Sequence, residues 1–373
     1  MNLQQEAEKQ RQLWCEKLAE AGLSEPQEPP FREQLDRVWE ASDYVAQASL
    51  RYPELLVGLW RAGDLQRSYP EGDYAALLEQ ALDGCEDEAS LARELRRFRQ
   101  RQMVRIIWRD IARLAPLDET LEDLSALADA AIGAALQRLY AWTTAELGTP
   151  RNAEGEAQPL VVLGMGKLGA RELNLSSDID LIFAYPEAGQ TDGPRQLTNE
   201  QFFIRVCQRL VQALDNQTAE GFVFRVDTRL RPFGSVGPLA MSFNAMESYY
   251  GSQAREWERY AMIKARVVAG DQQAGVDLMA MLRPFVYRRY LDFGAIESLR
   301  DMKQMISSEL YKKGMDANIK LGPGGIREIE FIGQVFQLIR GGRDKGLQIR
   351  PILQVLQVLQ ERDLMPDFAV REL

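Results

Sequence analysis

The sequence predicts an α+β chain, predominantly helical, with a small mixed sheet flanked by an N-terminal and a C-terminal helical bundle. Three observations predict it. Residues 1–148 are dominated by Leu, Ala, Glu, Gln and Arg, all good helix formers. Composition shifts after Gly148-Thr149-Pro150, and short β-type runs follow. Beyond Met241 the helical character returns. A chain of 373 residues accommodates about two or three domains, and the shifts place them at 1–150, 151–275 and 276–373.

In the first segment, short breakers separate helices of a bundle: Pro26 to Pro30, Pro53, Arg61-Ala62-Gly63-Asp64, Pro70 to Gly72, and Pro116. Leu91 to Arg113 carries eight arginines, among them Arg93, Arg96, Arg105 and Arg109. It reads as a long surface helix whose arginine stems cover the bundle and pair with Glu94 and Asp110, rather than as a nucleic-acid strip. Residues 148–159 read as a polar linker. Val161-Val162-Leu163, Asp180 to Tyr185 and Phe222 to Leu230 read as strands, with an amphipathic helix over Asn199 to Leu214 between the last two. Glu256 to Arg266 reads as a helix with Trp257, Tyr260, Ile263 and Val267 on a core face. A glycine-rich break at Leu321 to Gly325 precedes a further helix beginning at Arg327-Glu328-Ile329-Glu330, where Gly324 and Gly325 leave a loose entry loop.

Composition removes several function classes. Histidine is absent, so Ser-His-Asp catalysis, Cys-His catalysis, His zinc ligands and an imidazole base are excluded. The net charge of −10 argues against general binding to a nucleic-acid backbone. Cys15, Cys85 and Cys207 are scattered and odd in number, which fits a reducing cytoplasm and no disulfide framework. The polar start, MNLQQEAEKQRQLW, lacks the apolar core of a secretory signal, and no apolar run is long enough to span a membrane. An enzyme of this composition works with carboxylates, Lys or Arg, and a metal.

Gly164-x-Gly166-x-x-Gly169 follows a strand, with Glu187 about 20 residues on, the outline of a dinucleotide fingerprint. Three features oppose it. Ala170 to Ser177 is short for a crossover helix and is interrupted by Asn174 and Ser176-Ser177. The next strand opens on carboxylates rather than apolar residues. No series of βα units completes a doubly wound sheet. The carboxylates carry more information. On a strand, Asp178 and Asp180 share one face, while Ile179, Leu181 and Phe183 share the other. Adjacent carboxylates repel unless a cation lies between them, and hard oxygen ligands suit Mg²⁺ with substrate phosphates. Along Phe222 to Leu230 the same alternation sets Asp227 among Arg225, Arg229 and Arg231, which suits a metal–phosphate site. Lys167, Arg229 and Arg231 are candidates to neutralise phosphate charge, and Lys264 and Arg266 to reach the cleft.

Gly166, then Asp178-x-Asp180, then a distant Asp227 resembles the polymerase-β-like nucleotidyltransferase superfamily, whose site holds two metal ions. Lys167 stands where that family carries serine. Longer strings resemble the family of bifunctional glutamine synthetase adenylyltransferase/adenylyl-removing enzymes. They are RELRRFRQRQMVRIIWRD (93–110), GMGKLGARELNLSSDIDLIF (164–183), FRVDTRLRPFGSVGPL (224–239), EWERYAMIKARVVAGD (256–271), LRPFVYRRYLDF (282–293) and IKLGPGGIREIEFIGQVFQLIRGGR (319–343). In that family one half removes AMP from a tyrosine of glutamine synthetase by phosphorolysis, giving ADP, and the other attaches AMP from ATP. The attaching half carries Gly-Ser-Asp-Leu-Asp. Here the pair follows Asn174-Leu175-Ser176-Ser177, as in the removing half, and the helical leader from Met1 agrees. With one Asp-x-Asp cassette, the chain resembles the removing half alone.

The resemblance implies Mg²⁺ on Asp178, Asp180 and Asp227, and nucleotide or phosphate on Gly164, Gly166, Lys167, Ser177, Arg229, Arg231 and Lys264. It implies adenylylated glutamine synthetase as the protein substrate, with inorganic phosphate, ADP and AMP as small ligands. It also implies a C-terminal adenylyltransferase half in a full-length protein and a PII-type signal protein as a further partner. ATP-dependent adenylylation, or an inactive regulatory module that binds nucleotide or a signal protein, are the competing expectations.

Overall fold

The computed structural model describes residues 3–289, Glu297 and 324–373. Leu321, Gly322 and Pro323 of the glycine-rich break, and part of the segment assigned to the C-terminal bundle, lie outside them. The architecture is α+β and mostly helical. It divides into two compact units, the first comprising Met1–Ala135, Glu172–Ser177 and Leu210–Arg225, the second Leu136–Arg171, Asp178–Arg209 and Val226–Leu373.

The first unit is built from α1 (Leu3–Glu20), α2 (Pro29–Ala41), α3 (Asp43–Arg51), α4 (Glu54–Arg61), α5 (Asp73–Ala81), α6 (Glu88–Ile111) and the start of α7 (Leu117–Leu147). The breakers act as the local chemistry requires. Pro29 opens α2, where its missing N–H costs nothing. Ser42 caps α3 by accepting from Val45 N–H. Asp87 and Ser90 form a reciprocal capping box at the start of α6. Trp14, Phe31, Trp39 and Trp108 are buried together, with Phe31 stacked on Trp108 at 5.4 Å and Trp14 edge-on to Trp39 at 5.6 Å.

The arginine-rich helix α6 departs from expectation. It is not a surface helix: Arg96, Arg105 and Arg109 are buried. Arg105 donates to Asp123 at 2.8 Å, to Tyr74 Oη, and to the carbonyls of Asp64 and Arg67. Arg109 pairs with Glu119 at 2.6 Å. Arg93 and Arg97 do reach Glu94, but Asp110 accepts from Thr120 instead of an arginine. A buried guanidinium must find partners for its fork: the carbonyls of Asp64, Leu65 and Arg67 supply them to Arg105 and Arg109, and those of Ala92, Asn216 and Gly221 to Arg96.

The second unit contains the sheet. Its strands are β2 (Val161–Met165), β3 (Ile179–Tyr185), β5 (Val226–Asp227), β6 (Ala240–Ser242) and β7 (Arg266–Gly270), while β1 (Pro150–Arg151) pairs separately with β4 (Gln190–Thr191). The order is β5-β3-β2-β7, with β6 also on β3. Strands β2–β3 and β2–β7 are antiparallel, and both β5 and β6 run parallel to β3 on its other edge. Its helices are the end of α7 from Leu136, α8 (Gly166–Gly169), α9 (Asn199–Asp215) as far as Arg209, α10 (Phe243–Ser252), α11 (Glu256–Met262), α12 (Gln272–Val286), α13 (Ile326–Arg340), α14 (Ile352–Glu361) and α15 (Asp367–Glu372). Val161, Leu163, Ile182 and Ala184 of the sheet pack with Met246, Ile263, Leu278 and Leu338 in one core.

Four local expectations are corrected. The strand read over Phe222 to Leu230 shrinks to Val226–Asp227. Upstream, Val223 and Phe224 donate their N–H groups to Leu214 O at the end of α9. Downstream, Arg231 N–H closes a turn on Thr228 O, and Pro232 has no N–H to give a ladder. The linker contains β1, which closes on β4. The helix read to Arg266 ends at Met262, and β-branched Val267 and Val268 enter β7, where β2 offers its second edge. Trp257 is 38% exposed rather than on the core face; Glu258, Arg259 and Met262 are buried there instead.

Candidate active site

The site begins at the turn leaving β2. A parallel crossover needs a dozen or more residues, usually helical. Here the connection contains the four-residue α8, and β3 returns antiparallel to β2. The dinucleotide outline is thus a different object, in which each glycine has its own steric reason. Gly164 lies buried in β2, where a Cβ would meet Val268 at 2.5 Å. Gly169 presses on the Lys264 carbonyl, where a Cβ would sit 1.8 Å from the oxygen. Gly166 has φ +55°, and a Cβ there would lie 3.1 Å from Asp180 Oδ2. Gly166→Ala is therefore expected to cost about 1–2 kcal/mol from the left-handed backbone alone and to crowd the Asp180 carboxylate. Urea unfolding of the variant checks the first effect.

The acids come next. Asp180 pairs in register with Asp227 across the parallel β3–β5 ladder, beside Ile179 with Val226. Residues directly paired on adjacent strands point to the same face, so the two carboxylates are neighbours. Asp178 stands just before β3 and is exposed, while Ile179 behind it is buried. Arg229 lies over the group. Its guanidinium bonds both oxygens of Asp227, with Nε at 2.8 Å from Oδ2, and its N–H donates to Oδ1 at 2.8 Å. This fork holds the Asp227 carboxyl below the usual carboxylate range. The Asp227 hydrogen bond and charge, then the charges of Asp180 and Asp178, raise the pKa of Arg229 in turn. All three carboxylates thus act on one exposed guanidinium.

Among the described residues, no three Asp, Glu or Cys side chains stand close enough together to cage an ion in this arrangement. The donor set nonetheless fits a hard divalent cation. It offers the hard oxygens of Asp180 and Asp227 on paired strands, a glycine that leaves room beside Asp180, and an exposed guanidinium, Arg229, on Asp227 where a cation's charge would otherwise be needed.

The structure distributes the other predicted residues unevenly. Gly166 and Arg229 meet the acids. Lys167 is half-buried one residue beyond Gly166. Ser177 precedes Asp178 in a turn whose N–H bonds Asn174 O. Arg231 turns into its own loop, donating to the carbonyls of Thr228 and Gly237, and burial lowers its pKa. Lys264 is buried and its ammonium is paired with Glu330 at 2.6 Å, while its backbone carbonyl lies against Gly169. Arg266 braces the glycine turn by donating to the carbonyls of Leu168 and Gly169. Glu330 was not foreseen, and no local signal marks a partner 66 residues from Lys264. At the start of α13, Glu328 takes the Gly324 N–H at 2.8 Å, which leaves an anion little to gain there.

Residues 32–281 match the family model described as glutamate-ammonia ligase adenylyltransferase. Residues 300–373 match a second model, GlnD PII-uridylyltransferase. A protein of Nitrosococcus oceani is 62% identical over 338 residues, covering 90% of this chain and 35% of its own length. Proteins of Pseudomonas putida and Pseudomonas aeruginosa are each 58% identical, covering 92% and 91% of this chain and 36% and 35% of their own lengths. All three bear the name bifunctional glutamine synthetase adenylyltransferase/adenylyl-removing enzyme. The chain thus spans about a third of the length of these relatives. With a family model matched across the glycine turn, the three acids and both sheet edges, the chain belongs to the glutamate-ammonia ligase adenylyltransferase family.

Proposed function

We propose that this chain is a nucleotidyltransferase that removes AMP from the adenylylated tyrosine of glutamine synthetase by phosphorolysis, releasing ADP. The observation that carries the reading is the register of Asp180 with Asp227 beside Gly166. The direction rests on the Asn174-Leu175-Ser176-Ser177 lead-in to the acid pair. Segment 151–275 is the catalytic domain of this reading, and 1–150 and 276–373 are its helical flanks. The PII in the second model's name supports a PII-type signal protein as a further partner. A cytoplasmic setting agrees with the three unbridged cysteines. Among the described residues, no helix is long and apolar enough to cross a membrane.

Asp178, Asp180 and Asp227 would hold Mg²⁺, which when bound neutralises charge on the phosphoryl oxygens. An oxygen of inorganic phosphate forms a bond to the AMP phosphorus. The bond from phosphorus to the tyrosine oxygen breaks, and the phenolate leaves and takes a proton from solvent. Phosphate is already anionic near neutral pH, and a phenolate is a good leaving group. Neither step therefore needs the histidine that the chain lacks. Arg229, released from Asp227, and Lys167 supply positive charge for the transferring group. Gly166 keeps backbone close to Asp180 without a side chain between them.

The test is direct. AMP-modified glutamine synthetase, phosphate and Mg²⁺ are incubated with the chain, and ADP is measured. ADP release with loss of the modification is expected. A folded chain that releases no ADP, or one that consumes ATP to modify the unmodified target, overturns the reading.

A further inference from the structure

We infer that Glu330 on α13 is a positioning residue for the reaction proposed above: through Lys264 it fixes the glycine turn against Asp180. The inference rests on that reading.

The turn moves as one piece. Gly166 to Gly169 is a single helical turn, closed by Ala170 N–H on Gly166 O at 3.1 Å. Whatever displaces Gly169 therefore displaces Gly166, where a Cβ would lie 3.1 Å from Asp180 Oδ2. Lys167, the candidate cation for the transferring group, stands between the two glycines. A helix this short has no stability of its own, so its place is set from outside. Lys264, Ala265 and Arg266 set it, where α11 runs into β7. The Lys264 carbonyl presses on Gly169, where a Cβ would sit 1.8 Å from the oxygen. Arg266 donates to Leu168 O at 3.0 Å and to Gly169 O at 3.3 Å, and it also pairs with Gly164 in the β7–β2 ladder.

This backing is itself held by residues further along the chain. The Lys264 ammonium meets Glu330 at 2.6 Å, with the two side chains 6% and 18% exposed. Arg350 Nε donates to Ala265 O at 2.7 Å. The rings of Tyr260 and Phe331 lie 5.8 Å apart and bring α11 onto α13. Lys264 is thus fastened at both ends, its ammonium on α13 and its carbonyl on the glycine turn. A buried ion pair often contributes no more to stability than an apolar pair of the same volume, and Tyr260 with Phe331 already supplies apolar contact. What the charged bond adds is a fixed direction and length, which sets the main chain of residue 264 and with it Gly169. A shift of about 1 Å caused far from the chemistry can cost about a hundred-fold in rate.

ADP release from AMP-modified glutamine synthetase and amide hydrogen exchange are measured for the parent chain, Glu330→Gln, Lys264→Met/Glu330→Leu and Val206→Ala. The amides followed are those of Ala170 and Arg171, which donate to Gly166 O and Leu168 O in the turn. Glu330→Gln keeps the shape and removes the charge. It is expected to lower kcat about thirty-fold, with KM for the protein substrate within about two-fold of the parent's. Exchange at both amides should quicken about ten-fold. The double variant fills the same space without charge, so its melting should return toward the parent's while kcat stays low. Val206 is fully buried on α9, so Val206→Ala should lower melting through packing alone and leave kcat and both amides parent-like. If Glu330→Gln does not fold, Glu330→Asp, which keeps the charge and shortens the reach, takes its place with the same expectations. Parent-like exchange or kcat in the Glu330 variant, recovery of kcat together with melting in the double variant, or equal effects in Val206→Ala overturn the positioning role and leave the functional reading standing. A parent that releases no ADP overturns that reading and, with it, this role in the reaction, whatever the exchange shows.

Discussion

Asp180→Asn is expected to lower the ADP release of the proposed reaction about a thousand-fold while leaving thermal melting almost unchanged. Asp180 stands at the centre of the group, in register with Asp227, against Gly166 and within the field of Arg229. A metal clamp on a phosphoryl group contributes several kcal/mol to the transition state, and each 1.4 kcal/mol is about ten-fold in rate. Asparagine keeps the shape and removes the charge that would hold the cation in the proposed reaction. Stability responds differently, because removing one of three neighbouring like charges relieves repulsion. The variant should melt at or slightly above the parent. Asp227→Asn should lose activity to a similar degree. It also frees Arg229, but that side chain is exposed and its pair contributes little to folding. Turnover retained by both variants would remove the acids from the chemistry and leave Arg229 with a purely structural partner.

The parts of this arrangement legible in the sequence are those written in local alternation. Ile179, Leu181 and Phe183 mark β3, and Val161 to Leu163 mark β2, because each is an apolar run short enough to be a strand and bounded by polar or glycine residues. Asn199 to Leu214 shows a helical period and forms α9. The Asp-x-Asp pattern puts two acids at one strand end before any coordinates are known. What stays hidden depends on partners distant in the chain. Strand β7 follows directly on a helix, and its identity is settled by pairing with β2, about a hundred residues earlier. Lys264 carries the charge expected of a cleft residue, yet Glu330 claims it. Arg229 and Arg231 look alike on an alternating face. A turn at Thr228 to Arg231 then sends one onto Asp227 and the other into the loop.

The same limit explains α6, and it yields the largest stability effect expected in the molecule. Arg105→Met should cost about 3–5 kcal/mol, the usual result of leaving a buried charge without its partner. The Arg105 side chain is fully buried and that of Asp123 is 7% exposed. The guanidinium also stacks on Tyr69 at 3.5 Å and satisfies the carbonyls of Asp64 and Arg67. Lysine cannot replace that planar fork, so Arg105→Lys should recover only a minor part. The double variant Arg105→Met/Asp123→Leu should recover most of the loss, since a buried ion pair often contributes no more than a well-packed apolar pair. Urea unfolding followed through Trp14, Trp39, Trp60 and Trp108 reads the first unit. A second signature separates lost charge from lost packing. Burial raises the Asp123 carboxyl, while Arg105 opposes the rise. Without Arg105, the folded pKa climbs further above the unfolded value. The folded state then binds the proton more tightly, so stability rises as pH falls through the folded pKa toward about 4. The deficit of Arg105→Met should therefore shrink on acidification, while that of the double variant should not. A deficit independent of pH would mean that the arginine acts in this core as a stem and a stack, and that its charge is incidental.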